Sequence, residues 1–167
     1  MTASVTWSQF LARPAEIGSE PVSAAQRSAP PALGALPVDA AELSGLRELA
    51  PSGYLLRELR GTKMRTVAGV FDEFAAVFQF GYYFGENKDA FDECLRDLDD
   101  FVGRGSGYIA VIRDSADLLA EAPVEREWFA DAISDAADYW WRRDIPFRVV
   151  LQGEPVGLRA VSLELPG

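Results

Sequence analysis

Asp89 and Glu93 are the residues whose type and spacing most clearly suggest chemistry. They lie four positions apart, so a helix through this segment places both carboxylates on one face. A carboxylate pair can transfer protons, hold a metal ion or bind a basic partner. The first two uses need a further converging group of the right kind, which the sequence does not offer. The pair therefore favours electrostatic binding, with an ordinary solvated helix face as the alternative.

Acidic residues are concentrated around this pair. Residues 71–100 contain nine acids and two bases, so this segment carries −7 of the formal net charge of −10. Such a balance disfavours binding to nucleic acid, which requires clustered Lys and Arg, and it suits a basic protein partner. Two ion pairs at helical spacing, Lys88 with Asp92 and Asp92 with Arg96, would instead support a solvated helix.

Three consecutive aromatic residues, Tyr82, Tyr83 and Phe84, stand just before the acidic segment. A short loop cannot turn all three side chains inward, so we predict that at least one is exposed. Exposed aromatics beside a charged face favour a protein interface. The alternative use, a hydrophobic lid over two helices, is expected for one of the three.

Histidine is absent, which excludes several kinds of active site. The chain has no Ser-His or Cys-His nucleophile pair and no His-ligated zinc site. The single cysteine, Cys94, allows no intramolecular disulfide and is typical of a reducing compartment. We predict a protein that is not an enzyme and that has no metal and no cofactor. A cytosolic enzyme using carboxylates is kept as a third alternative.

Targeting features are also absent from the sequence. No segment approaches the roughly 20 apolar residues of a membrane span. The N-terminal residues lack the basic start and the apolar run of a signal peptide. A cytoplasmic protein with no membrane partner is therefore expected.

The elements that must position these residues alternate between strands and helices. Strands are predicted at residues 54–60, 108–112 and 147–151, of which 108–112 is a continuous apolar run. Apolar residues at spacings of three and four predict helices at residues 67–78, from Asn87 to Leu98, and from Trp128 to about Arg142. Strands joined by helical crossovers form parallel sheets. The predicted fold class over residues 53–153 is therefore α/β, a three-stranded parallel sheet packed by helices.

The two ends of the chain differ from this central region. Residues 1–52 are rich in Pro, Ala and Ser, which disfavours long regular elements, so we predict an N-terminal extension. One short helix is expected within it, because Asp39 and Glu42 have capping-box spacing. Residues 154–167 follow a turn and nearly alternate apolar with polar residues. This pattern predicts an extra C-terminal strand, hairpinned antiparallel onto strand 147–151.

Residues 82–95, Tyr-Tyr-Phe-Gly-Glu-Asn-Lys-Asp-Ala-Phe-Asp-Glu-Cys-Leu, resemble the signature of the barstar family, the intracellular inhibitors of barnase-like ribonucleases. The order of strands and helices from Gly53 to Leu151 is also similar to the barstar fold. The resemblance does not extend to residues 1–52 or to the last dozen or so residues. It implies that the partner is a basic, secreted, microbial ribonuclease of the guanyl-specific type, and that nucleic acid is not bound directly.

The resemblance also implies how the protein would inhibit. In that family the second helix and the loop before it enter the nuclease active site, where carboxylates replace the RNA phosphates. Asp89 would be one such carboxylate, and Glu93 would carry the same charge on a longer arm. A further acid would come from the last long helix, where Asp135 is the best match and Asp138 the alternative.

Other positions of the signature would shape the contact surface. Tyr83 would be a contact aromatic, while Gly85 would shape the turn and Asn87 would cap the helix. The predicted partner-binding residues are Tyr82, Tyr83, Phe84, Gly85, Asn87, Asp89, Asp92, Glu93 and Asp135.

Three departures from the signature point to a target other than barnase itself. Lys88 puts a positive charge beside the expected interface, Asp92 replaces an apolar residue, and Phe84 replaces a tyrosine. The alternative function is therefore an acidic barstar-like interaction or immunity module that regulates a different basic protein or toxin.

Overall fold

The computed structural model describes residues 4–16 and 29–167. Residues 1–3 and 17–28 lie outside the described residues. They include the N-terminal residues considered for a signal peptide and Pro21 of the proline-rich region. The strands are β1 (Ser4–Thr6), β2 (Leu33–Leu36), β3 (Tyr54–Arg60), β4 (Gly107–Arg113), β5 (Phe147–Gln152) and β6 (Val161–Glu164). The α-helices are α1 (Trp7–Phe10), α2 (Ala40–Leu43), α3 (Val67–Phe78), α4 (Lys88–Arg96), α5 (Leu98–Val102) and α6 (Arg126–Trp141). Over these two ranges, no helix has both the length and the apolar character needed to span a membrane.

Among the described residues, six strands form one sheet in the order β1-β6-β2-β5-β4-β3, and every neighbouring pair is parallel. The predicted α/β class, the parallel sheet and its strands β3, β4 and β5 are confirmed. The prediction of a three-stranded sheet is wrong, because β1, β2 and β6 extend the sheet beyond β5. β1 and β2 are too short to show a hydrophobic period in the sequence.

The predicted antiparallel hairpin at the C-terminal end is also wrong. β6 lies between β1 and β2 and is parallel to both, with Ser162 opposite Ser4 on one side and Ala35 on the other. Residues 153–160 carry the chain past β2, so β6 does not pair with β5. Alternating apolar residues indicate a half-buried strand, but they do not specify its direction or its neighbours.

One face of the sheet is covered by α3, α4 and α6, and we call this layer the first core. Strand side chains alternate between the two faces, so every second residue of β4 and β5 points into it. Its largest members from the helices are aromatic: Phe71, Phe74, Phe78, Phe91, Phe129 and Trp140. Trp141 is buried as well, so both members of the Trp140-Trp141 pair lie inside.

The opposite face carries a second core, built largely by the two ends of the chain. Its members from β3, β4 and β5 are Leu56, Ile109, Val111 and Val150. They are covered by apolar residues of the flanking regions: Trp7, Phe10, Leu11, Leu36, Leu43, Leu46, Val161 and Leu163. The flanks therefore share a sheet and a core with residues 53–153. Whether residues 1–52, 53–153 and 154–167 behave as separate units stays a prediction.

Polar contacts fix the N-terminal segment on the second core. The Trp7 indole Nε1 donates to the carbonyl of Leu49 at 2.8 Å. Arg148, fully buried on β5, donates through Nε to the carbonyl of Phe10 at 3.2 Å. This carbonyl lies at the end of α1, where a cation is favoured. Burial lowers the pKa of Arg148 to about 10, so the side chain stays charged at neutral pH.

Candidate protein-binding site

The side chain of Asn87 joins the loop of residues 81–87 to α4 by two hydrogen bonds. The Oδ1 atom of Asn87 accepts a hydrogen bond from the backbone N–H of Ala90 at 2.8 Å, which makes Asn87 the N-cap of α4. Its Nδ2 atom donates to the carbonyl of Gly85 at 3.4 Å. Glu86, between them, has a φ of +50°, a backbone conformation that non-glycine residues seldom adopt. The loop therefore enters the helix in a constrained geometry.

Replacing Asn87 by alanine is expected to lower the free energy of unfolding by about 1 kcal/mol, because the N–H of Ala90 loses its acceptor. Chemical denaturation measures this loss. Asn87→Ser keeps a capping oxygen and serves as the control, with most of the stability retained. Equal losses in the two variants would contradict the capping role.

The three aromatic residues before α4 divide between surface and core. Tyr82 is fully exposed at 102%, and Tyr83 is 59% exposed. Phe84 is half-buried, with its ring centroid 5.7 Å from that of Phe71 and 5.2 Å from that of Phe80. The prediction that at least one is exposed and one serves as a lid is confirmed. Gly81 leaves room for this arrangement, since a Cβ atom there would lie 2.4 Å from the Tyr83 ring.

The outer face of α4 carries the carboxylates of Asp89 and Glu93. Their spacing of four had predicted that they would share a face. Asp89 and Glu93 are exposed, whereas Phe91, Cys94 and Leu95 on the opposite side are buried in or against the first core. Asp89 lies in the first turn, where the positive end of the helix dipole stabilises an anion. Packing on one side therefore leaves the acidic side free.

A second pair of acids lies where α4 packs beside α6. The Trp140 indole Nε1 donates to the carbonyl of Leu95 at 2.8 Å and ties the two helices together. Asp92 is half-buried, and its Oδ1 atom has no hydrogen-bond partner in the described part of the chain. Burial raises the pKa of Asp92; Arg96 lowers it, while Asp135 and Asp89 raise it further. The structure thus brings Asp135 to α4.

Asp138, the alternative to Asp135, has a different electrostatic neighbour. Its charge acts on the buried Arg148 and raises the pKa of that guanidinium, against the larger effect of burial. Of these two candidate acids on α6, Asp135 is the one that acts on Asp92, so we define the acidic surface as Asp89, Asp92, Glu93 and Asp135.

Asp92→Asn is expected to stabilise the fold at neutral pH. Because the pKa of this carboxyl is higher in the folded than in the unfolded chain, its ionisation destabilises the fold as the pH rises. The advantage of the amide should therefore be absent below the ordinary pKa of Asp and grow as the pH rises through the raised value. Denaturation of both proteins across this range measures it. A difference that does not vary with pH would contradict the effect of burial on Asp92.

Lys88 does not form the predicted ion pair with Asp92. Its Nζ atom lies 2.6 Å from Oε2 of Glu125 and 5.2 Å from the centroid of the Trp128 ring. Glu125 ends the short 3-10 turn before α6 and is 37 positions from Lys88. No local spacing in the sequence indicates a contact over this distance, so Glu125 was missed.

Two residues of the acidic segment 71–100 that could take part in chemistry, Glu73 and Cys94, are buried. Glu73 is buried and accepts hydrogen bonds from the Arg60 guanidinium at 2.9 and 3.0 Å. Burial raises the pKa of the Cys94 thiol to about 11, so it carries almost no thiolate at neutral pH. Neither residue contributes to the acidic surface, and Cys94 is not an activated nucleophile.

This geometry lies within a recognised family domain. The family model described as Barstar (barnase inhibitor) matches residues 54–152, which is more than half of the chain. The match runs from β3 through β5 and includes the capped α4, the exposed tyrosines and Asp135. A comparison with curated proteins gives no match. The chain belongs to the barstar family of barnase inhibitors.

Proposed function

We propose that this protein inhibits a small, basic, guanyl-specific ribonuclease of the secreted microbial type by covering its active site. The observation that carries the proposal is the exposed surface made by Asp89 and Glu93 with Tyr82 and Tyr83, on the segment that the family model matches. This surface stands on a capped helix packed against the core. Little ordering would be needed on binding, which lowers its entropic cost.

The electrostatics support a partner that normally binds RNA. A cleft that holds phosphates carries Arg and Lys, and a fixed acidic surface is complementary to it. Asp92, on α4, and Asp135, on α6, add negative charge where these two helices meet. Such complementarity speeds association and makes it dependent on ionic strength.

A panel of purified guanyl-specific ribonucleases, with barnase included, provides the test. Each enzyme is assayed for RNA cleavage with and without this protein, and complexes are isolated by pull-down. We expect stoichiometric loss of cleavage with at least one enzyme, and we propose that the protein acts in the cytoplasm of the cell that makes it. Full cleavage activity of every enzyme at excess protein would count against the proposal.

A second candidate function is supported by the residues at the edge of the acidic surface. Lys88 puts a positive charge beside this surface and is paired with Glu125, and Asp92 stands where the family signature has an apolar residue. An acidic module that regulates a different basic protein or toxin fits the same surface. It would be favoured if the protein captured a basic partner that does not cleave RNA.

A further inference from the structure

We propose that Glu125 is an internal counter-ion that cancels the charge of Lys88 at the edge of the acidic surface, and that this pair selects an uncharged contact on the partner. The inference rests on the proposed function, because it assigns a role within that binding surface. It concerns the region where the N-terminal ends of α4 and α6 meet, which we call the corner: Lys88, Val124, Glu125 and Trp128.

The contacts of Lys88 are specific. The distance from Nζ to the Glu125 carboxylate is 2.6 Å, and the side chains of Lys88 and Glu125 are 46% and 30% exposed. The Trp128 ring lies beneath the ammonium at 5.2 Å, within the range of a cation–π contact. The amine is thus held between a carboxylate and an aromatic face, while one side remains accessible to a partner.

The local position of Lys88 makes a counter-ion favourable. Lys88 is the first residue of α4, where unpaired backbone N–H groups already give the helix end a partial positive charge. A lysine there is unfavourable by itself, and it stands beside Asp89, which is expected to meet a basic partner. Glu125 offsets both effects, because it supplies a negative charge from the 3-10 turn before α6.

The corner therefore differs in chemistry from the rest of the surface. Lys88 and Glu125 together carry no net charge, and Val124, next to Glu125, is 87% exposed. Asp89, Asp92, Glu93 and Asp135 form the adjoining negative region. A partner that fits both parts places its basic residues on the negative region and an uncharged residue on the corner. The pair thus acts as a positioning and specificity element.

The free protein tests the contact by differential acetylation. The chain contains two lysines, Lys63 and Lys88, so exposed Lys63 is an internal standard. We expect Lys88 to react several-fold more slowly than Lys63, because Glu125 and the Trp128 ring limit access to its amine. Glu125→Gln should raise the Lys88 rate severalfold, while the control Glu127→Gln should not. Equal Lys88 rates in the wild type and Glu125→Gln would overturn the proposal.

Binding to the guanyl-specific ribonuclease of the panel that the protein inhibits tests the consequence through a double-mutant cycle. Glu125→Gln leaves the Lys88 charge uncompensated and should weaken binding about threefold to tenfold. In the Lys88→Gln background, the same change at Glu125 should have no such effect, because no cation remains to be cancelled. A loss of equal size in both backgrounds would show that Glu125 acts on the partner directly and would overturn the proposal.

The two measurements separate this inference from the function on which it rests. If wild-type protein binds no ribonuclease of the panel, the proposed function fails, and the acetylation rates still decide whether Glu125 holds Lys88. If binding is strong and sensitive to Asp89 but the cycle shows no coupling, the function stands and the counter-ion role is wrong.

Discussion

Replacing Asp89 by alanine is expected to weaken binding to the target ribonuclease by about 2–5 kcal/mol, roughly 30- to 5,000-fold in Kd. The carboxylate is exposed at the first turn of α4, beside Glu93 and the exposed tyrosines. In the complex it would be desolvated against a cation, and its loss would leave that cation buried without a partner. Titration calorimetry or inhibition kinetics measures the change.

The control for this substitution is Glu48→Ala. Glu48 is an exposed acid in a 3-10 turn on the opposite side of the sheet, so it changes the net charge equally without touching the site. Its effect on affinity should be small. Raised salt should slow association of both the wild type and the control. A folded Asp89→Ala protein that inhibits at full strength would exclude α4 as the inhibitory surface.

Trp7→Ala is expected to lower the free energy of unfolding by about 3–5 kcal/mol. The indole is 3% exposed, lies in the second core and donates a hydrogen bond to the carbonyl of Leu49. Its removal would leave a cavity beneath the sheet and an unpaired carbonyl. Urea denaturation followed by the remaining tryptophans measures the loss over the whole chain.

This substitution also decides whether residues 1–52 form a separate extension. If they folded independently, Trp7→Ala would leave the unfolding of residues 53–153 unchanged. If the second core is shared, as the presence of Trp7, Leu56 and Val150 in one buried cluster implies, the whole transition shifts. Ser8→Ala, at an exposed neighbouring position, should leave the urea midpoint of unfolding unchanged.

The helices and strands of residues 53–153 could be predicted because the patterns that indicate them are local in the sequence. Val67, Val70, Phe71, Phe74 and Phe78 repeat at helical spacing and all face the sheet side of α3 or its edge. A continuous apolar run marked β4, and a mostly apolar segment interrupted by Arg148 marked β5; both strands are buried on both faces. The added strands could not be found in this way. β2 is a four-residue stretch directly after Ala29-Pro30-Pro31-Ala32, and it pairs with neighbours more than a hundred positions away.

The candidate site likewise has parts set by local spacing and parts set by contacts between distant residues. The cap at Asn87 and the shared face of Asp89 and Glu93 follow from spacings of three and four, so they could be predicted. Net charge alone could not separate Glu73, which is buried against Arg60, from the exposed acids. The Lys88–Glu125 contact depends on how α4 packs beside the turn before α6, which no periodicity within α4 or α6 specifies.

The position of β6 in the sheet has a consequence for the order in which the chain folds. β1 pairs with β6 alone among the described strands, and Ser4 hydrogen-bonds to Glu164 across 160 positions of sequence. Contacts of such separation pay the entropy of closing a long loop before they contribute stability, and they slow folding. During synthesis β1 must wait for a strand that leaves the ribosome long after it. Until β6 arrives, Val161 and Leu163 are missing from the second core, so we expect this core to be completed late in folding.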